Sequence, residues 1–298
     1  MPLVRPASLL SSLTTLRLGG RAAAEFRLDG EEELDACGRR ISDLGLPVHV
    51  LGGGSNLLAQ EGELPLLLVR PNFRQEAEIA GEEGGKVIVR AGAGLRLPRL
   101  LARCAAWGLS GLEGLAGIPG TVGGAVAMNA GAYGCEAAPL LQSLRIWSPG
   151  TGVKNLSPGQ WKFAYRYFGL TEIAEFFFIL SASFCLTRAA SNGIREAMRL
   201  NYFKKKSTQP LLAWSAGCAF KNPSPDIAAG KLLDEAGFKG KRLGGMAFSP
   251  LHANFLVNEG RGSPSAALEL LDLAGEAVRR RNGIGLQLEI KVLPCSSS

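Results

Sequence analysis

The sequence is poor in metal-ligating side chains. It has only two histidines, His49 and His252, and none of its six cysteines forms a Cys-x-x-Cys pair. A structural zinc site draws four such ligands from short, recurrent spacings, so this pattern argues against one. Long apolar runs are missing too. A membrane-spanning helix needs about 20 consecutive apolar residues. The most apolar stretch, residues 174–186, is shorter and carries Glu175, Ser181 and Ser183, so it reads as a buried strand. The N-terminal Met1-Pro2-Leu3-Val4-Arg5 has no basic region leading into an apolar core and a small-residue cleavage site. A cytoplasmic protein without stable membrane association is expected, with Cys37, Cys104, Cys135, Cys185, Cys218 and Cys295 reduced. Aromatic residues are few, at 7%, and none is interleaved with basic residues in a nucleic-acid-binding module. The net charge of +7 favours anionic partners without saying which. Its densest clusters are Lys204-Lys205-Lys206 and Arg279-Arg280-Arg281. The second closes an expected helix, where cations complement the carbonyl end of the dipole.

What the chain has instead is glycine, concentrated in two stretches. Leu51-Gly52-Gly53-Gly54-Ser55-Asn56-Leu57 follows the apolar Val48–Val50, and Gly117-Ile118-Pro119-Gly120-Thr121-Val122-Gly123-Gly124-Ala125 comes about sixty residues later. Glycine permits positive φ and lets a ligand touch the main chain. Successive bare N–H groups form a concave nest suited to a diphosphate. Ser55, Asn56, Thr121 and Asn129 add side-chain donors and acceptors. Two such loops imply a large phosphorylated cofactor held from two sides. It is not a Rossmann site. Gly52 and Gly54 fit the first two glycines of that fingerprint, but Leu57 stands at the third, and Gly62 and Pro65 break any long helix after it.

With 298 residues the chain can build two or three domains. Three zones are expected. Residues 1–66 read as strand, helix over residues 31–44, strand and loop. Residues 67–192 alternate short β-rich runs, such as Leu66-Leu67-Leu68-Val69 and residues 86–91, with a helix over residues 97–107 stopped at Gly108. Residues 193–298 begin with a basic helix over residues 194–206. A second helix follows over residues 227–235, capped by Asp226 and stopped by Gly237. A third runs from Pro264 to about Arg281 with Leu268, Leu271, Ala274 and Val278 on its apolar face. Strands and helices without regular alternation point to an α+β protein.

The stretch from Gly111 through the second glycine loop to Met128-Asn129-Ala130-Gly131-Ala132-Tyr133-Gly134 closely resembles the UDP-N-acetylenolpyruvoylglucosamine reductase (MurB) family. Further matches follow in the family's order: residues 51–58, Tyr165-Arg166, Ser215-Ala216-Gly217-Cys218-Ala219-Phe220-Lys221-Asn222-Pro223, His252-Ala253-Asn254-Phe255 and Leu288-Glu289-Ile290-Lys291. The resemblance covers residues 14 to about 292.

It implies three domains, two forming a vanillyl-alcohol-oxidase/PCMH-type FAD-binding module and a C-terminal α+β domain over the substrate. FAD is expected to be non-covalent and NADPH the reductant. The implied reaction reduces UDP-N-acetylglucosamine enolpyruvate to UDP-N-acetylmuramate in peptidoglycan precursor synthesis, in a monomeric bacterial enzyme. Conjugate hydride addition builds charge on the substrate carboxylate, where fixed donors should act. By resemblance, Arg166 holds that carboxylate and Glu289 lies near it. Cofactor contacts are implied for Leu51, Gly52, Gly53, Gly54, Ser55, Asn56, Leu57, Ile118, Pro119, Gly120, Thr121, Gly123, Gly124, Ala125 and Asn129. Substrate contacts are implied for Tyr165, Lys221, Asn222 and His252. Two other classes share these features: a sugar or alcohol oxidase with tethered flavin, for which Cys135 just beyond the second loop is the available anchor, and a non-catalytic flavin or UDP-sugar binder.

Two positions depart from the family pattern. Cys218 stands where many members have the serine that protonates the intermediate carbon. A thiol, with pKa near 8.5, is the stronger acid, so Cys218 is expected to work as the proton donor. Phe168 stands where a serine usually follows the arginine. The short spacing from Arg166 to Ser215 leaves little room for the family's tyrosine-bearing substrate loop, which implies the shorter type.

Overall fold

The computed structural model describes residues 7–73, 76–172 and 176–294. The N-terminal Met1–Arg5, Ala174 and Glu175 of the apolar stretch, and Cys295 with the serine tail lie outside them. The chain forms two compact units. One holds Glu25–Gly53 and Leu67–Lys204; the other holds residues 7–24, Gly54–Leu66 and residues 205–294. No helix among the described residues is long and apolar enough to cross a membrane.

In chain order, α1 (Leu10–Leu13), β1 (Arg21–Leu28), α2 (Leu34–Leu44), β2 (Val48–Val50), β3 (Leu57–Ala59) and β4 (Glu63–Pro71) come first. Then follow β5 (Glu78–Glu83), β6 (Lys86–Gly92), α3 (Leu97–Ala106), β7 (Leu109–Ser110), α4 (Val122–Ala127), β8 (Gly131–Ala132) and β9 (Cys135–Glu136). Next are β10 (Leu141–Ser148), β11 (Gly152–Leu156), β12 (Trp161–Ala164), β13 (Tyr167–Leu170), β14 (Phe178–Arg188) and α5 (Ser191–Thr208). Last come β15 (Trp214–Cys218), α6 (Ala229–Glu235), β16 (Arg242–Leu243), β17 (Met246–Phe248), β18 (Phe255–Asn258), α7 (Pro264–Asn282) and β19 (Lys291–Leu293).

The core of the first unit is the antiparallel path β11-β10-β14-β6-β5, to which β7 adds along β14. The apolar run expected as a strand is β14, where every residue from Phe178 to Phe184 is buried. Burial on both faces explains a run without alternation. Helix α3 supplies Leu97, Leu100, Leu101 and Cys104 to the same core, the i, i+3, i+4, i+7 stripe of an amphipathic helix. It ends before Gly108, whose φ of 66° suits glycine. Burial pushes the Cys104 thiol up to about 12, and the same cause raises Cys37 on α2 to about 12. A separate sheet has the order β1-β4-β2, with β2 parallel to β4.

The second unit is built on the antiparallel sheet β15-β18-β17-β16. Its core draws on α6, α7 and β17, with Leu16, Leu18 and Leu58 added from the N-terminal stretches. On α7 the buried seam runs through Ala267, Leu270, Leu271, Ala274 and Val278; Leu268, expected on that face, is only half-buried at its flank. Ser263 caps α7 by accepting from the Ala266 N–H at 3.1 Å. Two expected boundaries move. The basic helix α5 is longer than residues 194–206 at both ends. Helix α6 starts at Ala229, two residues after the expected start, because Ile227 is tied to Ser224 in a bridge. Asp226 is not its cap; Asn222 Oδ1 accepts from the Ala229 N–H at 3.1 Å instead. Strand β19 pairs in parallel with β3, Lys291 opposite Leu57.

Candidate active site

In the first unit the two glycine loops meet. Leu51 is fixed by its N–H on the Val69 carbonyl at 2.8 Å, and the chain then turns outward. A Cβ on Gly53 would lie 2.6 Å from the Cα of Gly120, and one on Gly52 would lie 2.7 Å from Thr121 Oγ1. Neither position admits a side chain while the loops stay in contact. Thr121 caps α4 by accepting from the Gly124 N–H at 3.3 Å. The Val122 and Gly123 amides donate to the carbonyls of Leu95 and Ala93, at 2.9 and 2.8 Å. The Gly123 and Gly124 amides are therefore already engaged, and the contribution of Gly123 is close approach: a Cβ there would sit 2.9 Å from that of Ala93.

Exposure divides this set of residues. Gly52 and Pro119 are exposed; Gly53, Ile118, Gly123 and Gly124 are half-buried; Leu51, Gly120, Thr121, Ala125 and Asn129 are buried beneath them. Four of the six accessible positions carry no side chain, so the surface presented there is largely main chain. Among the described residues the N–H groups of Gly52 and Gly53 have no partner within the chain. Bare backbone donors with no intervening Cβ fit a diphosphate, and in this respect the residues fit FAD. Asn129 does not belong to that surface. It is 0% exposed, its Oδ1 accepts from the Ala138 N–H at 3.0 Å, and its Nδ2 donates to Glu136 Oε2 and the Ala164 carbonyl at 2.8 and 3.1 Å. A carboxamide so buried and so engaged offers nothing to a ligand, which corrects its expected place among the cofactor contacts.

Arg166 lies in the same unit, at the tip of the hairpin β12–β13. Ala164 pairs with Tyr167, leaving a two-residue turn of Tyr165 and Arg166. Arg166 has a φ of 55°, a left-handed conformation that disfavours any residue with a Cβ. Its guanidinium lies 5.1 Å from the centre of the exposed Tyr165 ring, and Nη1 donates to the Gly131 carbonyl at 3.3 Å. Phe168, at the family's serine position, is half-buried against the first unit's core. Cys135 donates its thiol to the Gly111 carbonyl at 3.3 Å.

The second unit carries Cys218 and Glu289. Opposite β15, Ser215 pairs with Val257 and Cys218 with Phe255, so β15 holds one extra residue, a bulge at which Gly217 has a φ of 84°. A bulge re-aims the side chain that follows it. Ser215 braces this bulge, its Oγ donating to the Leu256 carbonyl at 2.8 Å and accepting from the Gly217 N–H at 3.1 Å. Beyond Cys218 the chain is clasped by Asn254, which is buried. Its carbonyl accepts from the Ala219 N–H at 2.7 Å, and its carboxamide bonds both the N–H and the carbonyl of Phe220, at 2.9 and 2.8 Å. The C-terminal segment runs antiparallel alongside: the Lys221 N–H donates to Gln287 and the Glu289 N–H to the Ala219 carbonyl, both at 2.8 Å. Glu289 is thereby registered on the residue next to Cys218, and both side chains are half-buried.

The second half of the first glycine loop lies in this unit too. Gly54, with a φ of 63°, passes so close to the Leu13 carbonyl that a Cβ would collide with it. Thr15 takes the Gly54 carbonyl through its N–H at 3.0 Å and donates its hydroxyl to the Ser215 carbonyl at 2.6 Å. Asn56 Nδ2 donates to the Glu289 carbonyl at 3.0 Å. Ser55 and Asn56 are half-buried, whereas Leu57 is buried as it enters β3. Of the substrate candidates here, Lys221 is half-buried and Asn222 exposed. His252 Nδ1 accepts from the Asn254 N–H at 3.2 Å, and its pKa lies below the usual imidazole value, chiefly through burial. The bracing by Thr15, Ser215 and Asn254 was not foreseen. Ser215 and Asn254 fall inside family-like motifs, but nothing local in the sequence shows what their side chains reach.

Comparison with known proteins shows the family. Residues 22–156 match the FAD binding domain family, and residues 209–293 match the C-terminal domain of UDP-N-acetylenolpyruvoylglucosamine reductase. The reductase of that name from Nitratidesulfovibrio vulgaris is 53% identical over 95% of this chain and 96% of its own length. That of Oleidesulfovibrio alaskensis is 48% identical over 98% and 99%. The crystal structure of UDP-N-acetylenolpyruvylglucosamine reductase (MurB) from Thermus caldophilus superposes with a TM-score of 0.82 at 34% identity, covering 98% of this chain and all of that one.

Proposed function

The chain belongs to the UDP-N-acetylenolpyruvoylglucosamine reductase family, and from that premise we propose which of its residues do the work. The activity is the family's: FAD-dependent, NADPH-driven reduction of UDP-N-acetylenolpyruvoylglucosamine, a step of peptidoglycan precursor synthesis. FAD, when bound, supplies the hydride. The accessible main chain of Gly52 and Gly53 receives its diphosphate, with Ile118, Pro119, Gly123 and Gly124 around it. Leu51, Gly54, Leu57, Gly120, Thr121 and Ala125 shape the two loops from beneath, and Ser55 and Asn56 continue the first loop.

Arg166 holds the substrate carboxylate and stabilises the charge that develops on it. Cys218 donates the proton to carbon. Glu289 lies beside that carboxyl. Tyr165, Lys221, Asn222 and His252 contact the nucleotide sugar and its phosphates. The zones 1–66 and 67–192 carry the cofactor loops and 193–298 the proton donor. The enzyme acts as a cytoplasmic monomer.

The observation that carries this reading is the register of the Cys218 segment against the Glu289 segment. The hydrogen bond from the Glu289 N–H to the Ala219 carbonyl keeps the segment that bears Glu289 alongside the one that bears Cys218. The test is an anaerobic absorbance experiment on the purified protein. Flavin bands should bleach with NADPH and return on adding the enolpyruvyl substrate. In Cys218→Ser they should return at a substantial rate; in Cys218→Ala bleaching should persist and recovery largely fail. Full recovery in the alanine variant would remove Cys218 from the chemistry.

A further inference from the structure

Two short hairpins in the first unit are pinned together beside the second glycine loop. One, β8–β9, turns at Tyr133 and Gly134, both at positive φ; the other, β12–β13, turns at Tyr165 and Arg166. Asn129 opens the first hairpin. One Nδ2 hydrogen goes to Glu136 across the base of its own hairpin, and the other to the carbonyl of Ala164, the last residue before the Arg166 turn. Arg166 in turn reaches back to the Gly131 carbonyl. Asn129 itself has a φ of 39°, which Asn tolerates better than most residues with a Cβ.

We infer that Asn129 is a positioning residue for Arg166, acting through the hydrogen bond from its carboxamide to the Ala164 carbonyl. The Arg166 turn is strained and partly exposed, so its backbone needs an external hold to keep the guanidinium aimed. Of the contacts described here, the bond to Ala164 ties the turn's entry to a fully buried side chain. The inference rests on the reading of Arg166 as the residue that holds the substrate carboxylate. The competing role for Asn129 is to close its own hairpin through Glu136 and Ala138, with no consequence for Arg166.

The two roles separate in variants of the holoenzyme. Asn129→Asp keeps the acceptor for Ala138 but removes both donors. Adding Glu136→Gln restores a donor–acceptor pair at the hairpin base, yet leaves Ala164 without its bond. Rates of flavin reduction by NADPH and of reoxidation by the enolpyruvyl substrate are read separately, and affinity for UDP-N-acetylmuramate is read by calorimetry. Asn129→Asp should slow reoxidation by about 100-fold, as a small misplacement of a substrate-holding group does. It should also weaken product binding and leave reduction by NADPH nearly unchanged, and the double variant should not recover. Combined with Arg166→Lys, Asn129→Asp should add almost nothing further, since both act on one contact.

Recovery in the double variant, or full additivity with Arg166→Lys, would overturn the inference while leaving the role of Arg166 intact. Normal reoxidation in Arg166→Lys and Arg166→Ala would instead overturn the reading of Arg166 itself, and the inference with it. Should the buried carboxyl introduced by Asn129→Asp prevent folding, Asn129→Gly accepts the same φ without strain and removes the same donors; slowed reoxidation, unchanged reduction by NADPH and almost no added effect on Arg166→Lys are then required of it.

Discussion

Arg166 combines a strained backbone with the charge proposed to hold the substrate carboxylate. At a φ of 55° a side chain costs about 1–2 kcal/mol relative to glycine, and such strain persists where the surroundings hold it in place. Comparing Arg166→Ala with Arg166→Gly isolates that cost, since neither variant has the guanidinium. Glycine should be more stable than alanine by about 1 kcal/mol in denaturant unfolding, reversing their usual order in regular structure. Both should lose most of the reoxidation by substrate. An alanine variant at least as stable as the glycine variant would mean that the turn relaxes to another φ.

His252 supplies a pH-dependent term. Its Nδ1 accepts a hydrogen bond and burial lowers its pKa, so the fold favours the neutral ring. That contribution is whole above the unfolded-state value of about 6.5 and is lost as pH falls through the lower folded-state value. Thermal unfolding of the wild type should therefore decline more steeply than that of His252→Gln as pH drops below about 6.5. Parallel declines would exclude His252 as the source.

At the level of elements, α6 shows where local reading stops. Asp226 looked like its cap because it precedes an apolar run, the usual local signature. The bridge between Ser224 and Ile227 delays the helix, and Asn222, seven residues before Ala229, caps it. Asn222→Ala should cost about 1 kcal/mol of stability, whereas Asp226→Ala should cost almost nothing. A similar fall in both would restore the cap to Asp226. Helices α2, α3 and α7 and the strand β14 were legible because apolar spacing and glycine stops are local signals. The two glycine loops were legible as loops, though not that Gly53 touches Gly120. The role of Asn129 was out of reach for the same reason: its decisive partner is the Ala164 carbonyl, thirty-five residues on. A side chain's type and spacing reveal a turn; they do not reveal which distant carbonyl it meets.

At the scale of the whole molecule, the second unit is assembled from three separate stretches of chain, and no shift in composition announces this. Its core includes Leu16 and Leu58, both 0% exposed, as well as Leu18. Strand β3 is the partner of β19. Thr15 holds the Ser215 carbonyl and Asn56 the Glu289 carbonyl, so the segments bearing Cys218 and Glu289 are both secured from the N-terminal part of the sequence. A fragment of residues 193–298 would leave gaps where the three leucines belong. Losing a buried leucine side chain costs about 2–5 kcal/mol, against a net stability of about 5–15 kcal/mol for a whole domain. Three such losses, with an unpaired β19, exceed what the remaining core can offset. The fragment should therefore lack a cooperative thermal transition and show little amide protection in hydrogen exchange, although it contains all of the C-terminal match. Adding a peptide of residues 7–24 should not be enough, because Leu58 and β3 would still be missing; adding residues 54–66 as well should raise protection first in β19. A fragment of residues 193–298 that folded cooperatively alone would show that α6, α7 and their sheet are self-sufficient, and that the leucines from residues 7–66 are accessory to the core.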